Sequence, residues 1–233
     1  MSWILTNSAQ AFDLLNPQSD RVTPTDLAHA LSNVCRFNGH CAWHYSVAQH
    51  SLLVAYIIEQ EGGTPEEQLA GLLHDGPEAY ISDLTRPLKL LLLEAAQQRN
   101  QVWLDIVFQL GADHGAAGIK AAAGRILNTA ENDGLFLLLD VYQQLEERIW
   151  FAIAERFDLP TELPAGVKDA DMIALATEKR DLLPEHPAEW ECLQGYAPMP
   201  ERIIRWQPEL VRQAFHLRLM DLLATTHRAK SAA

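Results

Sequence analysis

The stretch that decides the fold runs Thr64-Pro65-Glu66-Glu67-Gln68-Leu69-Ala70-Gly71-Leu72-Leu73-His74-Asp75-Gly76-Pro77-Glu78. It opens on a helix-start signal: Thr64 stands at the cap position, Pro65 suits the first helical residue, and glutamates fill the first turn. Leu69, Leu72 and Leu73 form an apolar face at helical spacing, and Gly76-Pro77 breaks the helix. A histidine and an aspartate are thereby left at the edge of an apolar helix, where a carboxylate is costly to bury without a partner. Adjacent helical residues project about 100° apart, so the long imidazole and the shorter carboxylate can both reach one cation at that edge. Taken alone, His-Asp is a common dipeptide; its company decides what it means.

Outward from this stretch the pattern stays helical. Thr23-Pro24-Thr25-Asp26 repeats the start signal ahead of Leu27, Leu31 and Val34. Ser46 stands as the cap of a helix whose apolar face carries Val47, Leu53, Val54 and Ile57 or Ile58, and which Gly62-Gly63 ends. Pro87 marks residues 81–93 as a turn followed by a short helix. Helical faces continue over 94–110 and 118–157, with a loop expected at 111–115. A connector with two prolines spans 158–166, helices follow at 167–183 and 208–225, and the tail from His227 reads as frayed. Alternating β-branched runs are absent, so no strands are expected. The fold class is all-α, a helical bundle.

The 233 residues suit one domain over 1–233, and an apolar share of 48% supports a sizeable core. A formal net charge of −13 argues against a surface that grips a nucleic acid polymer. It leaves room for a small anion, because a bound metal and one or two arginines reverse the sign locally. Cys35, Cys41 and Cys192 are odd in number and lack zinc-finger spacing, which points to a reducing, cytoplasmic setting. The first twelve residues show no leader pattern. The apolar stretches 88–93 and 135–141 are far shorter than the roughly 20 residues of a membrane span, so no membrane partner is expected. The 135–141 stretch is read as core ahead of interface.

Five further residues give the His74-Asp75 pair its meaning. His50 lies inside the second helix. Asp171 sits at the start of the helix after Val167. Two imidazole nitrogens and two carboxylate oxygens make a site without thiolate, suited to Mn, Co, Fe, Ni, Zn or Mg with water in the open positions. Glu78, four residues after His74, shares its face if the helix persists for a turn, and a carboxylate beside an activated water is placed for proton transfer. Asp83 follows five residues later. Arg36, after the first helix, reads as a clamp for an anion such as phosphate.

Arg36, then Tyr45-Ser46-Val47-Ala48-Gln49-His50-Ser51, then Leu72-Leu73-His74-Asp75-Gly76-Pro77-Glu78-Ala79, then Asp83-Leu84-Thr85-Arg86-Pro87-Leu88-Lys89, then Val167-Lys168-Asp169-Ala170-Asp171 together resemble the HD-domain phosphohydrolases, in particular their 5′-deoxynucleotidase branch. The likeness covers about 12–89 and 145–183. Between them it is weak, which marks an extra helical insertion at about 90–144. The resemblance implies an HD-domain helical bundle, a divalent metal cofactor on His50, His74, Asp75 and Asp171, proton handling by Glu78, and a nucleotide substrate. It further implies contact of Asp83 with the sugar 3′-hydroxyl and of Arg36 with phosphate, aided by Lys89. Phe37 stands where that branch has a tryptophan crowding the 2′ position. His40 and His44 are left between phosphate contact, support of the ligands and a second metal. A homodimer is a further expectation. The alternatives are a dNTP triphosphohydrolase, another HD substrate such as a cyclic nucleotide or an alarmone, and a helical binding protein whose metal is structural.

Overall fold

The helices begin where capping side chains stand. In the computed structural model, which describes residues 2–127 and 141–232, helix α1 (Pro24–Asn33) starts behind Thr23, whose hydroxyl accepts the Asp26 amide at 3.1 Å. Helix α2 (Val47–Gln60) starts behind Ser46, which accepts the Gln49 amide. Helix α3 (Pro65–Leu73) starts with a capping box, Thr64 and Glu67 each accepting the other's backbone N–H. Such caps satisfy donors that the first turn leaves open and are worth about 1 kcal/mol each. Then come the single turn α4 (Glu78–Ile81), α5 (Arg86–Leu127), α6 (Val141–Phe157), α7 (Ala165–Leu182) and α8 (Pro208–Ala232). The described residues form an all-α fold.

The chain divides into two compact units, one of Met1–Asp83 with Glu146–Ala233 and one of Leu84–Leu145. In the first, α2 packs on α3 and α7, while α1 and α3 pack on α8. The core there gathers Leu27, Leu31, Leu72, Leu73, Ile153 and Phe215. A second cluster joins Val54, Ile57 and Ile58 of α2 to Ala70 of α3 and to Val167, Ala170 and Ala174 of α7. The small residues on α7 let its backbone come close to α2. Gly76 has a comparable role, because a Cβ there would stand 2.8 Å from both Ile153 Cδ1 and the Leu73 carbonyl. The second unit holds α5 and the first residues of α6, and its described side chains include the exposed Leu90, Leu91 and Phe108. The segment read as an insertion, about 90–144, falls within it.

Four local expectations are corrected. A hairpin precedes α1: β1 (Trp3–Leu5) pairs antiparallel with β2 (Ala11–Asp13), Ile4 opposite Phe12. Three-residue strands are too short for alternation to show. Phe12 is nonetheless fully buried, stacked on Tyr80 with centroids 3.7 Å apart. Residues 111–115 do not form a loop; α5 continues through them with one break at Gly115 (φ 63°, ψ −162°). The helix behind Pro87 is therefore not short. The tail is helical to Ala232. Positions 135–140 of the apolar stretch 135–141 lie outside the described residues. Among the described residues, no helix is long and apolar enough to cross a membrane.

Asp181 fastens the end of α7 to the segment ahead of α8. It accepts the Ile203 amide at 2.9 Å and the side chains of Arg180 and Arg202 at 2.6 and 2.5 Å. Burial works to raise its pKa, but these bonds outweigh it and hold the carboxyl at about 2. A lowered folded-state value means stability that is complete above the unfolded value near 3.8 and is lost as pH falls through about 2. Asp181→Asn is therefore expected to cost about 2 kcal/mol at neutral pH, with the gap to the parent closing below about pH 4. Urea unfolding of both proteins across that range measures it.

Candidate metal centre

His50 is the fourth residue of α2, wholly buried. Its Nδ1 stands 2.6 Å from Glu178 Oε1. A carboxylate only accepts, so Nδ1 carries a proton and donates it. His74 closes α3, and its Nδ1 stands 2.7 Å from the Gly71 carbonyl, which fixes the same tautomer by the same logic. In the neutral form of each ring the lone pair then lies on Nε2.

Those two Nε2 atoms are buried without an aligned hydrogen-bond partner. What faces them is carboxylate oxygen. His50 Nε2 is 3.1 Å from Asp171 Oδ1 and 3.5 Å from Asp75 Oδ2; His74 Nε2 is 3.3 Å from Asp75 Oδ1 and 4.0 Å from Asp171 Oδ1. Ligand atoms of His50, His74 and Asp75 all lie within 4.8 Å of one another. Unbonded lone pairs and carboxylates around one point form the donor set of a metal ion, and these three residues could hold one. Its identity is open among the divalent metals that accept mixed nitrogen and oxygen ligands.

Arg36 also reaches this group. Its Nη1 lies 3.3 Å from Asp75 Oδ2 and its Nη2 3.1 Å from Glu178 Oε2. It heads a tight turn, Arg36–Gly39, in which Phe37 and Asn38 take left-handed backbone (φ 56° and 50°). The turn is pinned by the Arg36 amide on the Tyr45 carbonyl and the Val47 amide on the Val34 carbonyl. The Phe37 ring lies 5.5 Å from the guanidinium carbon. Glu78 is buried at the start of α4, its amide on the Asp75 carbonyl. Asp83 is near enough to add to the field on Arg36. Two histidines do not join the group: His40 is exposed, and His44 donates through Nε2 to the Ser32 carbonyl at 3.2 Å. Lys89 belongs to the second unit, its Nζ 5.2 Å from the Tyr142 ring centroid.

Glu178 is the residue that sequence reading missed. The available signal was spacing: it lies seven residues, two helical turns, beyond Asp171, so both occupy one face of α7.

No family model matches the chain. It is 31% identical over 195 residues to Uncharacterized protein YfdR of Escherichia coli, covering 84% of this chain and 80% of that protein. The chain belongs to the YfdR family. It is also similar to Uncharacterized protein RCAP_rcc00048 of Rhodobacter capsulatus, 29% identical over 236 residues, with 95% of this chain and 96% of that protein covered.

In this YfdR-family chain the centre is built to favour positive charge. Asp75, Asp171 and Glu178 are three carboxylates against the guanidinium of Arg36, which leaves two negative charges around the imidazoles. Burial works to raise all three acids, yet their cationic neighbours hold each below its usual range. His50 shows the complement. Burial and Arg36 oppose its charged form, but Glu178 and Asp171 override them and hold the imidazole well above its usual value. With no cation bound, these carboxylates favour a second proton on His50, which a metal must displace. Metal uptake near pH 7.5 is expected to release about one proton, and affinity is expected to climb with pH. Calorimetric titration in buffers of differing ionisation enthalpy counts that proton; a count near zero contradicts the assignment.

Proposed function

We propose that this chain is a metal-dependent phosphohydrolase of the HD type, acting in the cytoplasm on small nucleotides, with nucleoside 5′-monophosphates as the substrate class. The observation that carries the reading is the pair of buried Nε2 atoms turned toward the Asp75 and Asp171 carboxylates. Asp171 is then the fourth ligand. A structural metal is commonly closed in by four protein ligands. Here the Asp75 and Asp171 side chains keep 21% and 29% of their surface exposed, so one side of the group faces solvent, where a substrate arrives. That exposure favours an enzyme over a binding protein with a structural metal.

A divalent cation at this site supplies Lewis-acid chemistry, polarising a phosphoryl oxygen and activating water. The chain's own residues do the rest. Arg36 holds positive charge beside the reacting phosphoryl group and offsets the charge that develops on it. Glu78, buried one turn after Asp75, takes the proton from the attacking water or delivers one to the leaving oxygen. Asp83 meets the sugar hydroxyl, and Phe37 shapes the pocket beside it.

A panel of dAMP and dATP, each tried with several divalent metals and with chelator, tests the reading. Inorganic phosphate from dAMP is expected; release of triphosphate from dATP would move the chain to the triphosphohydrolases, and no turnover with any metal would remove the proposal. His74→Ala and Asp75→Ala are expected to lose metal and turnover together. Glu78→Ala is expected to keep its metal and lose activity by about 10²- to 10⁴-fold. A Glu78→Ala protein stripped of metal would show that Glu78 is a ligand instead.

A further inference from the structure

We propose that Glu178 is a positioning residue whose two carboxylate oxygens set the donor atom of His50 and hold Arg36 beside the metal centre. Its side chain is fully buried, and both oxygens are used, Oε1 on His50 Nδ1 at 2.6 Å and Oε2 on Arg36 Nη2 at 3.1 Å. It is not placed as a ligand, because it meets His50 on the ring nitrogen opposite the one that faces Asp75 and Asp171. An ionised carboxylate can only accept at that position. It therefore dictates Nδ1–H and leaves the Nε2 lone pair for a cation, and its charge makes that nitrogen more basic. An amide of the same shape could present either its oxygen or its NH₂ and would lose this control.

The second oxygen matters as much. Arg36 is shared between Glu178 and Asp75, and the Asp75 oxygen that it touches is the one 3.5 Å from His50 Nε2. With Glu178 neutralised, Arg36 keeps its 3.3 Å contact with Asp75, and the guanidinium competes with the metal for that carboxylate. One buried charge thus governs metal affinity and, through the position of Arg36, affinity for an anion at the centre. The metal half stands on geometry alone; the anion half rests on the phosphohydrolase reading.

The test compares the parent protein with Glu178→Gln, both shown folded by thermal melting. Co(II) affinity is read by competition with a chromophoric chelator, and inorganic phosphate binding is read on the Co(II)-saturated protein. The variant is expected to bind Co(II) about 10- to 100-fold more weakly and to lose phosphate affinity by a similar factor. A folded variant whose Co(II) affinity lies within twofold of the parent overturns the proposal, and weakened metal with unchanged phosphate binding overturns the Arg36 half. A parent that binds Co(II) but no phosphate removes the phosphohydrolase reading and leaves the metal half standing. A variant that does not fold leaves a direct readout on the parent: nitrogen-15 spectra of the histidines in the Zn(II)-loaded protein. His50 protonated on Nδ1 and metallated on Nε2 supports the proposal, and the reverse assignment overturns it.

Discussion

A bond of 2.6 Å between the His50 Nδ1–H and the Glu178 carboxylate, wholly out of solvent, is the constraint on which the rest of the first unit depends. A charge taken out of water costs several kcal/mol unless it is paired and hydrogen-bonded. The chain meets that cost by bringing three separated pieces to one place. Helix α2 brings His50, α7 brings Glu178, and the turn after α1 brings Arg36. The apolar cluster of Val54, Ile57, Ala170 and Ala174 holds α2 and α7 close enough for the bond to form. Packing and electrostatics therefore support one arrangement.

The turn that delivers Arg36 carries strain. Phe37 and Asn38 sit in left-handed backbone, which costs about 1–2 kcal/mol for a residue with a Cβ. Asparagine tolerates it and phenylalanine does so poorly. The compensation is local and visible: backbone bonds tie Arg36 to Tyr45 and His40 to Phe37, and the guanidinium lies between two carboxylates. A strained turn kept in place by buried ion pairs is the kind of feature that marks a working site.

Much of the helical framework was legible along the chain. Thr23, Ser46 and Thr64 announce their helices because a cap is a local interaction, decided within four residues. The hairpin was missed because Trp3–Leu5 and Ala11–Asp13 are too short to alternate, and their pairing is decided by Phe12 finding Tyr80. The break at Gly115 was mistaken for a loop because glycine signals a change of direction without saying how large it is. Glu178 was passed over because an acid in a helix is most often solvated, and only its partners show otherwise.

By itself, the sequence determined the helical class, most of the helix starts and the candidates for a metal centre, His50, His74, Asp75 and Asp171. Those features come from periodicity, from capping chemistry and from residue types that bear lone pairs, all of which are properties of neighbours in the chain. Only the tertiary structure decided which nitrogen of each imidazole is free, that Arg36 is shared between Asp75 and Glu178, that Glu178 completes the cluster, and that His40 and His44 stand apart from it. Each of these is a contact between residues far apart along the chain. A contact of that kind exists only once the helices have packed, because burial, not sequence proximity, makes a charged side chain seek one particular partner.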